Sequence, residues 1–217
     1  MAEPRTLIVY IDYKSPYAYL AKDLVYELER DLPVRIDWRP YDLNLAEFMG
    51  SARVDDSGRV LEENRTAHQW RRVRYSYMDC RRQARKRSLV IRGTQKIWDS
   101  RIALYGMLYA KRRSDAVLRR YHDIVFERFW KRELDIENPA VIAAVLTEAG
   151  ADAAEFPAYL AQEGPDRLAA ICRDAEAKGV FGVPSFLIDG ELYWGREHLP
   201  DIRALLAGEA ESRAGTA

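Results

Sequence analysis

Thr6-Leu7-Ile8-Val9-Tyr10-Ile11-Asp12 runs without a break into Tyr13-Lys14-Ser15-Pro16-Tyr17-Ala18-Tyr19-Leu20. The first seven residues are rich in β-branched and aromatic side chains and predict a buried strand. Ser15-Pro16 predicts a helix start. The serine is an N-cap, and the proline suits the first turn, where a missing N–H goes unused. A strand feeding a helix N-terminus sets a hydroxyl beside unpaired N–H groups at the positive end of a helix dipole. Two roles stand for Ser15: an ordinary cap, or a seat for an anion such as a thiolate.

Downstream, Tyr19, Leu20, Leu24 and Leu28 fall at helical spacing, and Pro33 stops the helix. Val34 to Arg39 alternates and predicts a second strand ended by Pro40, completing a β-α-β unit with parallel strands. From Leu43 strand-like runs cease. Ser51 to Gly58 reads as a polar loop. Leu61–Arg87, Asp99–Lys111, Ala116–Lys131, Pro139–Ala149 and Pro165–Lys178 read as helices. Asn138-Pro139 and Gly164-Pro165 carry helix-start chemistry, and Gly150 and Gly179 sit where helices end. Val183 to Ile188 restores strand character. Asp189-Gly190 is a hairpin turn, Glu191 to Trp194 its second strand, and Glu197 to Leu206 a closing helix before a loose tail to Ala217.

The two ends therefore combine as β-α-β … β-β-α, a thioredoxin-like α/β fold with an all-helical insertion. The expected division is 1–42 with 180–210 for the thioredoxin-like part and 43–179 for the insertion.

Totals narrow the function. The 217 residues carry 34 basic and 34 acidic side chains, so net charge favours no class of partner. The two cysteines, Cys80 and Cys172, are too far apart for a C-x-x-C redox site. The early apolar run is interrupted by Asp12 and Lys14, and no stretch approaches the roughly 20 apolar residues of a membrane span. A soluble cytoplasmic protein is expected. His68, His122 and His198 lack metal-ligand spacing and read as surface or supporting residues, with no metal site expected. No G-x-S-x-G elbow is present, which argues against a serine hydrolase. Trp70, Tyr75 and Trp98 read as core side chains. Nine cations lie between Arg71 and Arg92 against one acid, Asp79. That stretch is open to three readings: a solvated face, a nucleic-acid surface, or attraction of an anionic substrate.

Asp12 to Ala21 resembles the F-x-S-P-x-S-Y-L-A opening of 2-hydroxychromene-2-carboxylate isomerases and kappa-class glutathione transferases. Gly179-Val180-Phe181-Gly182-Val183-Pro184-Ser185-Phe186, followed by Tyr193-Trp194-Gly195, resembles their G-V-F-G-V-P-T-F … F-W-G ending. Both groups are DsbA-like members of the thioredoxin superfamily. The resemblance implies a glutathione-dependent isomerase of aromatic-degradation intermediates working by reversible thiolate addition, with a kappa-like transferase, or a DsbA-like protein without dithiol chemistry, as the alternatives. It implies that Ser15 holds the glutathione sulfur and that Val183, before a cis Pro184, pairs with the tripeptide backbone. Arg196 and Glu197 would meet the γ-glutamyl end, where relatives carry Gly-x-Asp-Arg and this chain reads Gly195-Arg196-Glu197-His198. Tyr75, Asp79 and Arg82, which share a helix face, resemble a Tyr-x-x-x-Asp-x-x-Arg stretch and are the implied substrate contacts. The implied partners are a small anionic aromatic substrate and a second copy of the chain, with no nucleic acid and no membrane.

Overall fold

The computed structural model describes residues 4–208. In chain order its elements are β1 (Arg5–Ile11), α1 (Pro16–Asp31), β2 (Val34–Pro40), α2 (Leu45–Met49), β3 (Ser51–Val54), β4 (Val60–Asn64) and α3 (Ala67–Arg85). Then come α4 (Arg101–Lys111), α5 (Asp115–Trp130), α6 (Pro139–Glu148), α7 (Phe156–Ala161) and α8 (Glu163–Ala177). The chain ends with β5 (Ser185–Ile188), β6 (Glu191–Trp194), a 3₁₀ turn (Arg196–His198) and α9 (Leu199–Leu206). The tail expected to be loose lies beyond the described residues from 209 on.

Two compact units emerge. One comprises the residues up to Tyr41 together with those from Ile171; the other is Asp42–Ala170. The insertion's end thus falls inside α8.

The first unit is built on a four-stranded sheet of order β2-β1-β5-β6. β1 pairs parallel with β2, Arg5 opposite Val34 through Ile11 opposite Pro40, and antiparallel with β5, Ile8 opposite Leu187. Leu7, Val9, Ile11, Leu20 and Phe186 are fully buried and form its core. Each side chain contributes roughly 1.5–3 kcal/mol of hydrophobic burial. α1 begins as the sequence predicts: the Ala18 N–H donates to Ser15 Oγ (3.2 Å), and Pro16 occupies the first turn. It stops because Leu32, preceding Pro33, is forced into an extended conformation (φ −132°, ψ 153°). Asp189 and Gly190 both have positive φ, as a two-residue hairpin turn requires.

The second unit is largely helical. α4, α5 and α6 pack on one another around Leu104, Met107, Tyr121, Phe126, Trp130 and Ile142. Asn138 caps α6 by accepting from the Ala140 N–H (2.9 Å). The expectation of an all-helical insertion needs one correction. Residues 51–64 are neither a polar loop nor the start of the following helix; β3 and β4 form an antiparallel hairpin, Ser51 opposite Asn64. α3 begins only at Ala67, where Thr66 and Gln69 cap each other's backbone N–H groups. The short α2 and α7 were also not expected, because each offers too few turns for a periodic pattern.

Candidate active site

Asp12 builds the turn that delivers Ser15. Its carbonyl accepts from the Ser15 N–H (3.0 Å), and its Oδ1 accepts from the Lys14 N–H (3.1 Å). Its Oδ2 also lies 3.2 Å from the Lys14 ammonium, and both side chains are buried. Asp12, Lys14 and Ser15 are thereby locked between the end of β1 and the start of α1. The sequence shows this only as an aspartate two residues before a lysine, an Asx-turn signal that is easily passed over.

Ser15 itself is 4 % exposed. Its Oγ accepts from Ala18 at 3.2 Å and donates to the Val183 carbonyl at 3.3 Å. The second distance is long for an O–H···O bond, so the proton is weakly held and open to a better acceptor. The Val183–Pro184 peptide bond is cis. Ser15 and Val183 are therefore in direct contact, although 168 positions separate them in the chain. The Pro184 carbonyl then accepts from the Gly195 N–H (3.0 Å), so the 3₁₀ turn carrying Arg196 and Glu197 is tied to the segment carrying Val183. That turn also packs on α1. Gly195 has φ +104°, and a Cβ there would meet the Glu197 carboxylate at 2.5 Å. Only glycine suits that position with Glu197 folded back over it.

Neighbouring residues brace this loop. The Tyr41 hydroxyl donates to the Val180 carbonyl (3.4 Å), and Arg39 bridges Asp37 (2.9 Å) and Asp174 (3.1 Å). Phe181 and Trp194, about half exposed, meet with ring centroids 4.8 Å apart. A Cβ on Gly182 would reach the Trp194 indole nitrogen at 2.7 Å, so this aromatic pair depends on the glycine between Phe181 and Val183. In the sequence these residues stand only as part of a motif, and nothing there marks them as an exposed apolar pair beside Val183.

The remaining candidates lie in the other unit. Tyr75, Asp79 and Arg82 share a face of α3, with Arg82 3.8 Å from Asp79 and the Gln83 amide donating to Asp79 (2.6 Å). None of the three lines the cavity beside α3; that cavity takes the helix's other face. The reading of Trp70, Tyr75 and Trp98 as core is corrected in part. Tyr75 is 59 % exposed and Trp70 lines the cavity, while Trp98 packs edge-on against Phe129. His122 is fully buried in α5 rather than at the surface, because it shares a helix face with the buried Leu118, Val125 and Phe129. Among the described residues no three His, Cys, Asp or Glu side chains are grouped to hold a metal. No described helix is long and apolar enough to cross a membrane.

Cys80 is buried in α3, and desolvation pushes its thiol up to about 11. Thiol titration of the native protein at pH 8 is therefore expected to leave Cys80 unmodified until denaturant is added. Rapid reaction of both cysteines without denaturant would contradict that burial.

The fold and the Ser15–Val183 junction define a thioredoxin-type protein with no cysteine at the head of its first helix. Residues 6–207 match the model of the DSBA-like thioredoxin domain, and the chain belongs to that family. Two curated relatives, both named 2-hydroxychromene-2-carboxylate isomerase, come from Sphingobium xenophagum and Pseudomonas putida. The first is 24 % identical over 209 residues, covering 93 % of this chain and 98 % of the relative. The second is 26 % identical over 191 residues, covering 88 % of each. A solved structure of a 2-hydroxychromene-2-carboxylate isomerase aligns over 98 % of this chain and 99 % of its own with a TM-score of 0.73 at 21 % identity.

Proposed function

We propose that this protein is a glutathione-dependent isomerase of small anionic aromatic-degradation intermediates. The observation that carries the reading is the Ser15 hydroxyl at the N-terminus of α1, bonded at 3.3 Å to the carbonyl of Val183. The names of the two curated relatives support the isomerase class.

The donor set suits glutathione. A hydroxyl at a helix N-terminus favours a thiolate over a thiol. Glu197 supplies a carboxylate for an ammonium group, and Arg196 a cation for a carboxylate. Bound glutathione would supply a nucleophile that adds reversibly to a conjugated carbon, allowing rotation before elimination. The protein's own part is positional. Ser15 turns its O–H from the Val183 carbonyl towards sulfur, so the anion is held without a charged side chain. Val183 offers main-chain groups to an extended peptide. The site lacks cysteines at 15 and 18, so dithiol exchange has no partner there. A cytoplasmic setting and a homodimer belong to the same proposal.

Titration with reduced glutathione tests it. A ligand at about a hundred times its Kd stabilises by about 2.7 kcal/mol, so millimolar glutathione is expected to raise Tm by several degrees. No shift would overturn the glutathione part. Product analysis then separates the chemistries: a rearranged product of unchanged mass supports the isomerase, whereas a stable thioether would make the protein a transferase.

A further inference from the structure

The second unit contains a cavity of about 530 Å³, within the roughly 300–1,000 Å³ usual for small-molecule sites. One wall is a face of α3, where Trp70, Arg74, Tyr77, Arg81 and Arg85 follow one another at helical spacing. The facing wall comes from β3 and from the loop Gly93–Lys96. Six cations line it: Arg65, Arg74, Arg81, Arg85, Lys96 and Arg132. No carboxylate does.

Lys96 is paired with Glu137. Among the described residues the five arginines have no acid within ion-pair distance. Glu63 accepts from the Trp70 indole (2.5 Å) and attracts Arg65 without pairing with it. Five unpaired cations around one hollow repel one another, and folding alone gives no reason to gather them.

Three of these arginines are fixed in the same way. Each donates through Nε to a main-chain carbonyl: Arg65 to Met49 (2.9 Å), Arg81 to Ile91 (3.1 Å) and Arg132 to Gly93 (2.6 Å). A guanidinium has five N–H donors, so the Nη groups of each remain for another acceptor while its plane is held. Gly93 keeps space for this arrangement, since a Cβ there would press on Arg81 Nη2 at 3.2 Å. Arg65 and Arg74 also lie over the Trp70 ring, at 4.9 and 5.9 Å from its centroid. Val54, Val73 and Met78 add an apolar side to the cavity.

We propose that this cavity binds a small organic polyanion: a flat ring joined through a linker to two or more clustered phosphate groups, as in a nucleoside polyphosphate. Held guanidinium forks match the oxygens of such groups in pairs, and the apolar side formed by Val54, Val73 and Met78 accepts the ring. The cations converge on a concavity of ligand size instead of forming an extended stripe, which favours a small molecule over a duplex.

Calorimetric titration of the full chain at physiological salt tests this, with ATP, inorganic tripolyphosphate and short duplex DNA as probes. ATP is expected to bind once per chain, and more tightly than tripolyphosphate. The double variant Arg74→Ala/Arg85→Ala removes two cations that make no main-chain hydrogen bond, and it is expected to weaken ATP binding by roughly tenfold or more with a Tm that does not fall. Arg71→Ala/Arg72→Ala, on the same helix but outside the cavity, is expected to leave it unchanged. Absence of ATP binding, equal losses in the two double variants, or tighter binding of duplex DNA than of ATP would overturn the proposal. Tripolyphosphate binding as tightly as ATP would overturn the role of the ring. The glutathione titration of the Arg74→Ala/Arg85→Ala protein is expected to match the parent, so this proposal and the isomerase reading fail separately.

Discussion

Ser15→Ala is expected to lower glutathione-dependent turnover by about two to three orders of magnitude, the usual effect of deleting one preorganised donor to a reacting anion. The fold is expected to survive. The alanine loses the bond from Ala18 and with it a helix cap worth about 1 kcal/mol, or about 2–4 °C in Tm for a chain of this size. Capping and chemistry can be separated with Ser15→Gly. A glycine N-cap costs only about a few tenths of a kcal/mol, so stability is nearly retained, but the hydroxyl is gone and turnover falls as in the alanine variant. Unchanged turnover in Ser15→Ala, measured by following substrate isomerisation with saturating glutathione, would remove Ser15 from the mechanism.

Gly106→Ala is the second large effect, and its sign runs against helix propensity. Gly106 lies inside α4, where alanine is ordinarily better by about 1 kcal/mol. Here a Cβ would overlap the Tyr121 hydroxyl and crowd Ile142 Cγ2 (2.8 Å). Tyr121 is fully buried, and its hydroxyl donates to the Ala103 carbonyl (2.8 Å). Moving the ring strains the core by about 1–3 kcal/mol and strands a buried hydroxyl at a further cost of about 1–3 kcal/mol. The net expectation, after the gain in helix propensity, is a loss of about 1–5 kcal/mol, read as a fall in Tm of about 2–20 °C by calorimetry. A stabilised Gly106→Ala protein would mean that α5 can withdraw from α4. Tyr121→Phe in the same background separates the two contributions, because it removes the hydroxyl that collides.

How far the sequence could be read depended on whether a structural feature leaves a local trace. Ser15-Pro16 and Asn138-Pro139 were legible because a cap and a first-turn proline act within one turn. Asp189-Gly190 was legible because its backbone conformation suits few other residues. The β3–β4 hairpin was not. Every residue of β4 is exposed, so no alternation of apolar side chains marks it, and Glu62, Glu63 and Asn64 are poor strand formers. At the candidate site, Ser15 and Val183 could be named from motifs. Their facing each other was legible too, because the thioredoxin-like arrangement sets the first helix N-terminus opposite the residue before the cis proline. The buried Asp12–Lys14 pair and the Phe181–Trp194 pair arise from tertiary packing that no spacing encodes. On α3, the reading settled on the Tyr75–Asp79–Arg82 face. The face with Trp70, Arg74, Tyr77, Arg81 and Arg85 has equal periodicity, but its importance comes from the opposing hairpin and the loop after Val90, both remote or irregular in sequence.

The partnership of Ile8 with Leu187 in neighbouring strands has a consequence for how the molecule is made. On the ribosome, β1 and α1 emerge before the insertion, whereas β5, the strand that pairs with β1 on its other side, emerges only after it. The contiguous unit from Asp42 to Ala170 has all its own elements in hand well before that moment. Nascent domains tend to fold as complete units. The insertion is therefore positioned to mature while the flanking segments wait, and the Ser15–Val183 junction can come into being only after the whole insertion has been made.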